Sequence, residues 1–254
     1  MSLDACAALV QRGDPDRFTA LMAAPVAARA RLLPLYAFNL ELARAPWVSG
    51  EPMISEMRLQ WWRDIIAERT PRAHEVAAPL HALIQETGLP IPLLDRMAEA
   101  RRWDIYRDPF ADEAAFAAYL DDTGAGLMWA SALALGARPE AEQALRAYGW
   151  AAALAAYFRA VPELEARGRI PLVDGRAEAV AALAQRGLSR LAEARAARGS
   201  VPAAIRPALL PGWQTGALLS RAARDPGAVA EGRLALSEAG RRGRLLWQAM
   251  TGRF

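Results

Sequence analysis

Apolar residues recur along this chain at the three- and four-residue spacing of buried helix faces, and runs of alternating β-branched and aromatic residues are missing. The pattern predicts an all-α protein. Asp14-Pro15 reads as an N-cap and first-turn proline opening a helix through Met22. The next predicted helix, Val26–Arg44, contains Pro34, which is expected to kink it or split it in two. Ala45-Pro46 ends it, and 47–52 reads as a loop. Helix 53–69 is expected to bury Ile54, Met57, Trp61 and Ile65 on one stripe, with Glu56, Gln60 and Arg63 on another. The adjacent Trp61-Trp62 pair implies burial on two sides.

Further helices are predicted over 74–87, 93–106, 112–123, 126–135 and 139–160. A charged stretch, 161–176, reads as the longest irregular segment. Helices then follow over 177–198, briefly near 203–209, and over 213–224 and 231–251. Turn signals at Gly88-Leu89-Pro90, Gly136, Gly199-Ser200 and Asp225-Pro226-Gly227 separate them. With no repeat and no long linker, residues 1–254 read as a single helical domain.

Composition narrows the function classes. The 254 residues, 54% hydrophobic and 23% charged, suit a globular chain and exclude a disordered one. Cys6 is the only cysteine, which excludes a disulfide framework and a cysteine-based zinc site. His74 and His81, two turns apart, read as surface residues rather than metal ligands. Lysine is absent, so all 31 basic residues are arginine, as GC-rich coding would produce. A net charge of +3 with interspersed signs argues against nucleic-acid binding. No signal peptide or membrane span is evident, so the expected location is cytoplasmic. The segment 241–250 mixes arginines with Leu245, Leu246, Trp247 and Met250, and suggests peripheral contact with the inner membrane.

Four patches in order carry a family resemblance. They are Phe18 with Pro25, Arg29 and Tyr36-Ala37-Phe38; Met57-Arg58-Leu59-Gln60-Trp61-Trp62-Arg63; Asp104 with Phe116, Tyr119 and Thr123-Gly124-Ala125-Gly126-Leu127; and Gly149, Ala151, Phe158-Arg159, Glu163 and Gly168-Arg169. In order and spacing they resemble the squalene/phytoene synthases, all-helical head-to-head prenyl transferases. The resemblance implies an isoprenoid-synthase-like helical bundle around a central cavity. It also implies Mg²⁺ ions held by aspartates one helical turn apart on two facing helices, binding a prenyl diphosphate.

Those carboxylates are replaced here. The first motif falls at Ala43, Arg44 and Trp47. In the second, the family glutamine, asparagine and two aspartates fall at Ala153, Ala156, Ala160 and Leu164. Alanine ligates no metal, and Arg44 repels one. The resemblance therefore leaves a vestigial pocket of Tyr36, Phe38, Glu41, Arg58, Trp62, Tyr119, Arg159, Glu163 and Arg169, with no catalytic residue and no metal or other cofactor. Phe38-Asn39 with Glu41-Leu42-Ala43, Met57-Arg58 with Gln60 and Trp62, Tyr119 with Thr123, and Arg159-Ala160 with Pro162 resemble the family branch that serves as a mitochondrial assembly factor for respiratory complex I. That branch implies complex I subunits or assembly intermediates as partners, and a lipid or isoprenoid such as a quinone as possible ligand. The alternatives are an active Mg²⁺-dependent prenyl diphosphate transferase and a helical lipid-binding protein unrelated to complex I.

Lesser candidates remain. Glu41 and Glu163 read as structural ion-pair partners, with Arg44 or Arg159 in view. Asp104 and Asp121-Asp122 are candidates for a substitute acidic site. Arg29, Arg31, Arg58, Arg159, Arg167 and Arg169 are candidates for an anion pocket, since arginine matches phosphate bidentately. Trp61, Trp62 and Trp103 are candidates for lining an apolar cavity.

Overall fold

A computed structural model describes residues 3–68, 70 and 72–254. Helix follows helix, with no strand among the described residues. The chain opens with α1 (Leu3–Gly13), which the sequence pattern did not anticipate, because Gly13-Asp14-Pro15 drew attention to the following start. Asp14 then caps α2 (Pro15–Met22) by accepting from the Arg17 amide at 2.9 Å, with Pro15 in the first turn as predicted.

α3 (Val26–Arg44) runs without a break across Pro34. The expected split does not occur. Proline removes one backbone bond, while α3 buries Leu32, Leu33, Leu35, Tyr36, Phe38 and Leu42, and that packing holds the helix together. A 3₁₀ turn, Ala45–Trp47, begins the stretch expected to be loop.

α4 (Pro52–Ala67) corrects the stripe assignment. Met57 and Ile54 are exposed, and the buried stripe is Ser55, Leu59, Trp62 and Ile66, with Ile65 beside it. The two tryptophans misled the reading: Trp62 is the buried one, set edge-on to Phe38 at 5.5 Å, while Trp61 lies half-exposed. Arg69, the expected end of this helix, lies outside the described residues.

α5 (Ala77–Thr87) starts after His74, and α6 (Ile91–Ala100) passes into a 3₁₀ turn, Arg101–Asp104. Both histidines depart from expectation. His74 packs its ring edge-on to Trp61 and Trp62 at 5.2 and 5.3 Å, and His81 is buried with Nε2 3.2 Å from the Glu68 carbonyl.

α7 (Glu113–Leu120), capped by Asp112, continues through a π-helical turn, Asp121–Ala125, into α8 (Gly126–Ala134). After a short 3₁₀ turn comes α9 (Glu142–Ala166), which ends six residues later than expected. It passes Pro162, so the predicted irregular segment begins only after Ala166. α9 lies against α8, α10 (Ala177–Ala196), α11 (Thr215–Arg224) and the π turn. That crossing is close: a Cβ on Gly149 would stand 2.7 Å from the Ala125 Cα and 3.0 Å from the Met128 Cβ. A 3₁₀ segment, Ala203–Gly212, and the short α12 (Gly227–Ala230) follow.

α13 (Glu238–Thr251) starts later than predicted, at a Ser237 cap accepting from the Gly240 amide at 3.2 Å. It docks through Leu245 and Gln248, the latter donating to the Leu209 carbonyl at 3.0 Å. No helix among the described residues is long and apolar enough to cross a membrane.

Candidate functional site

The helix periodicity of α3 and α9 builds the central cavity. Tyr36, Asn39 and Ala43 project from one stripe of α3, and Gly149, Ala153, Ala156, Ala160 and Leu164 from one stripe of α9. With residues of the 3₁₀ turns, α7, α8 and 203–212, they enclose about 340 Å³, a volume suited to a small-molecule ligand. Ala43, Trp47, Ala153, Ala156, Ala160 and Leu164 all line this space, and Arg44 is exposed outside it. Apart from Arg44, the positions where the resemblance implies metal-binding or helper groups therefore face a common cavity and present apolar side chains to it. Of the cavity's lining residues, Trp47 adds an indole held by the Arg167 and Arg169 guanidinium groups at 4.6 and 5.1 Å from its ring centre.

Polar groups gather at two places. At the first, Tyr36 is fully buried, and its hydroxyl lies in the wall with no hydrogen-bond partner. Burial raises its pKa above the ordinary 10, against the pull of Arg17, whose guanidinium sits 5.0 Å from the ring centre. The phenol thus stays a proton donor. Ser131 beside it spends its own proton on the Leu127 carbonyl at 2.7 Å.

At the second, Asp104 is the one acidic side chain in the lining among the described residues, and it is already occupied. Arg101 donates to its carboxylate at 3.2 Å, and the Tyr119 hydroxyl lies 3.0 and 3.1 Å from its two oxygens. Arg101 also donates to the Tyr119 oxygen at 2.8 Å. Burial, reinforced by Asp104, pushes the Tyr119 phenol far up despite Arg101. Arg169 underpins this cluster from below through the backbone carbonyls of Trp103, Asp104 and Tyr106. Tyr157 closes it, its hydroxyl donating to the Pro171 carbonyl at 2.8 Å.

The remaining expected site residues scatter. Phe38 and Trp62 are core, away from the cavity lining. Glu41 is buried and pairs with Arg58 at 2.7 Å, not with Arg44 or Arg159. Arg159 pairs with Asp16 at 2.9 Å in a neighbouring groove. Glu163 is 70% exposed at its side chain and pairs with Arg167. The six arginines proposed as an anion pocket do not converge: Arg29 serves the Met22 and Ala24 carbonyls, and Arg31 serves Glu86 and the Ala134 carbonyl. Asp121 and Asp122 face Arg146 and Arg96, respectively, on the surface side. Trp61 and Trp103 do not line the cavity; Trp103 stacks on Phe110 at 3.9 Å. Cys6 is buried, and burial raises its thiol pKa to about 11.

Arg17, Asn39, Arg101 and Ser131 line the cavity without having been foreseen. Arg101 carried one signal, its position three residues before Asp104. The others come from separate elements, and spacing says nothing about them.

Mg²⁺, which the resemblance implies, does not fit this donor set. A hard dication takes several oxygens, and the α3 and α9 walls supply methyl, isobutyl and indole groups in their place. Among the described residues, no group of three or more histidine, cysteine, aspartate or glutamate side chains is arranged to share an ion.

A sequence profile of the family described as squalene/phytoene synthase matches residues 10–173. Among solved structures, the chain is similar to a dehydrosqualene synthase in complex with ligand, at 13% identity and a TM-score of 0.81, covering 98% of this chain and 95% of that one. It is also similar to the squalene synthase HpnC from Alicyclobacillus acidocaldarius, at 17% identity and a TM-score of 0.74, covering 88% and 93%. These likenesses show the isoprenoid-synthase fold. No curated protein sequence gives a significant match.

Proposed function

Because the chain belongs to the squalene/phytoene synthase family, we propose that it is a non-catalytic member that keeps the fold and the cavity and has lost the diphosphate chemistry. The observation carrying this reading is the composition of one wall. Ala43, Ala153, Ala156, Ala160 and Leu164 face the cavity where the family chemistry needs carboxylates or amides. Losing pyrophosphate from a prenyl diphosphate requires its charge to be neutralised, and Asp104 is tied up by Arg101 and Tyr119.

The cavity's occupant in this reading is an apolar chain, a lipid or an isoprenoid such as a quinone. The protein then acts as an assembly or binding factor of the respiratory complex I type, peripheral to the inner membrane, with complex I subunits or intermediates as partners.

The first test incubates the purified protein with farnesyl or geranylgeranyl diphosphate and Mg²⁺. No pyrophosphate release is expected; turnover lost in Glu41→Ala or Glu163→Ala would establish the transferase alternative instead. The second extracts the purified protein and identifies bound lipids by mass spectrometry. A co-purifying apolar chain that disappears in Ala156→Phe/Ala160→Phe is expected. Deleting the gene should lower assembled NADH dehydrogenase in membranes; normal levels would favour a lipid-binding protein unrelated to complex I.

A further inference from the structure

Many arginines elsewhere on this protein meet carboxylates. Arg63 bridges Asp95 and Glu99, Arg102 reaches Glu56 and Glu99, and Arg233 reaches Asp225 and Glu231. One groove breaks that habit. It encloses about 880 Å³ between α10, α11 and α13, away from the central cavity, and no aspartate or glutamate lines it among the described residues. Arg195, Arg221, Arg224, Arg244 and Arg253 all do.

Four of them meet no aspartate or glutamate among the described residues. Arg221 donates to the Ala235 carbonyl at 3.0 Å and Arg224 to the Ser220 carbonyl at 3.1 Å, Arg244 and Arg253 make no ion pair, and Arg195 alone is answered, by the main-chain carboxyl oxygen of Phe254 at 2.6 Å. Like charges brought into one concave surface repel, and an anion in the groove relieves that repulsion. Beside it, α13 turns its second face outward, with Leu246 61%, Trp247 58% and Met250 76% exposed. Trp247 lines the groove as well. Basic groups flanked by an exposed apolar stripe with a tryptophan are the chemistry of a helix lying in a bilayer interface.

We propose that this groove seats the phosphate headgroup of an anionic phospholipid, with the outer face of α13 entering the acyl region. The contact is not the segment's first arginines: Arg241 is held by Asp16 and Glu238, and Arg242 faces Glu238. It draws on α10 and α11, which the charge pattern of 241–250 alone did not indicate. A nucleic acid is disfavoured, because its bases call for several stacking faces, and Trp247 is the one aromatic among the exposed large apolar residues of α13, beside Leu246 and Met250. The inference rests on the preceding reading only as the source of its membrane contact. The two fail separately, since the cavity ligand is read by extraction and this site by vesicle binding.

The test sediments the full-length protein with vesicles of phosphatidylglycerol and phosphatidylcholine, and with phosphatidylcholine alone, at low and high salt. Binding to the anionic vesicles, weakened by salt, is expected. Arg224→Glu/Arg244→Glu, both exposed, should weaken it at least about tenfold, given the contribution of each arginine near an anionic surface. Arg12→Glu/Arg138→Glu makes the same charge change elsewhere on the surface and should leave binding within about twofold, since that term falls off within a Debye length. Thermal melts check that both variants fold, and Arg253→Glu serves as a second groove variant. Equal binding to neutral vesicles, equal loss in both double variants, or binding of a single-stranded oligonucleotide without vesicle binding would each overturn the proposal.

Discussion

The wall that α3 and α9 turn to the cavity is Ala43, Ala153, Ala156, Ala160 and Leu164; the wall formed by the 101–104 turn and α7 carries Arg101, Asp104 and Tyr119. Both lie where the family resemblance places named motifs. The first has no polar side chain at those positions, and the second keeps a closed network of a buried carboxylate, a buried phenol and a largely buried cation. The difference follows from what each group does for the fold. A side chain facing an open cavity answers to ligand or solvent, and shortening it to alanine leaves nothing unpaired. A side chain inside a buried ion pair answers to its partner, and removing it strands a charge. Chemistry can leave such a protein at the first wall while packing holds the second in place.

The contrast is broken most forcefully at Asp104. Asp104→Ala leaves Arg101 and Tyr119 buried without their acceptor, and should cost about 3–5 kcal/mol in urea unfolding. Asp104→Asn, which keeps an acceptor oxygen, should cost less. A loss in Asp104→Ala no larger than that of a surface substitution would mean that this network does not hold the fold.

The opposite wall gives the complementary experiment. Ala43→Asp/Ala156→Asp/Ala160→Asp puts three carboxylates on a wall that carries no cation of its own, with Arg17 and Arg101 the cations elsewhere in the lining, at a cost of about 1–3 kcal/mol for poorly paired polar burial. Millimolar Mg²⁺ should raise the melting temperature of this variant, because an ion bound only by the folded state stabilises it, and should leave the parent protein unchanged. A rise in the parent would show a metal site that the alanine wall does not explain.

Gly149 joins the two walls, since α9 crosses the π turn there. The site of a Cβ is occupied by backbone at 2.7 Å, which cannot move aside as a side-chain tip can. Gly149→Ala should cost about 1–3 kcal/mol. Gly50→Ala, where a Cβ would meet nothing within 4 Å, should be close to neutral.

How legible this was in the sequence varies with the range of the interactions. A capped start such as Asp14-Pro15 is local, and it stands where expected. The α3 and α9 faces followed from motif spacing, because residues three and four apart share a helix face wherever the helix goes. Prolines misled: Pro34 and Pro162 mark breaks by local rules, yet burial of α3 and α9 overrides the loss of single bonds. On α4, periodicity fits two stripes, and only the tertiary partner of Trp62 decides between them. The Tyr36 hydroxyl, the Arg101 network and the five-arginine groove each join residues from distant elements, and no spacing along the chain encodes such a meeting.

The smallest effect lies outside both walls, and it separates a pair held by charge from one held by shape. Asp16 is reached by Arg159 at 2.9 Å, by Gln214 at 3.1 Å and by Arg241. Partial burial alone would raise its pKa, but the hydrogen bond and charge of Arg159, with Arg241 and Gln214, outweigh it and hold the carboxyl below its ordinary 3.8. A depressed pKa means that the unfolded chain binds the proton more readily. The stabilisation is therefore complete above about pH 5 and disappears as pH falls through the lower, folded value. Arg159 is 46% exposed at its side chain, so solvent screens the pair and its worth is about 0.5–1 kcal/mol. Asp16→Asn should be less stable than the parent by that amount at pH 6, and the gap should shrink toward zero by pH 3. Urea midpoints of the two proteins across that range measure it. A gap that persists unchanged at pH 3 would show that Asp16 holds α2 to α9 and α13 through geometry rather than charge.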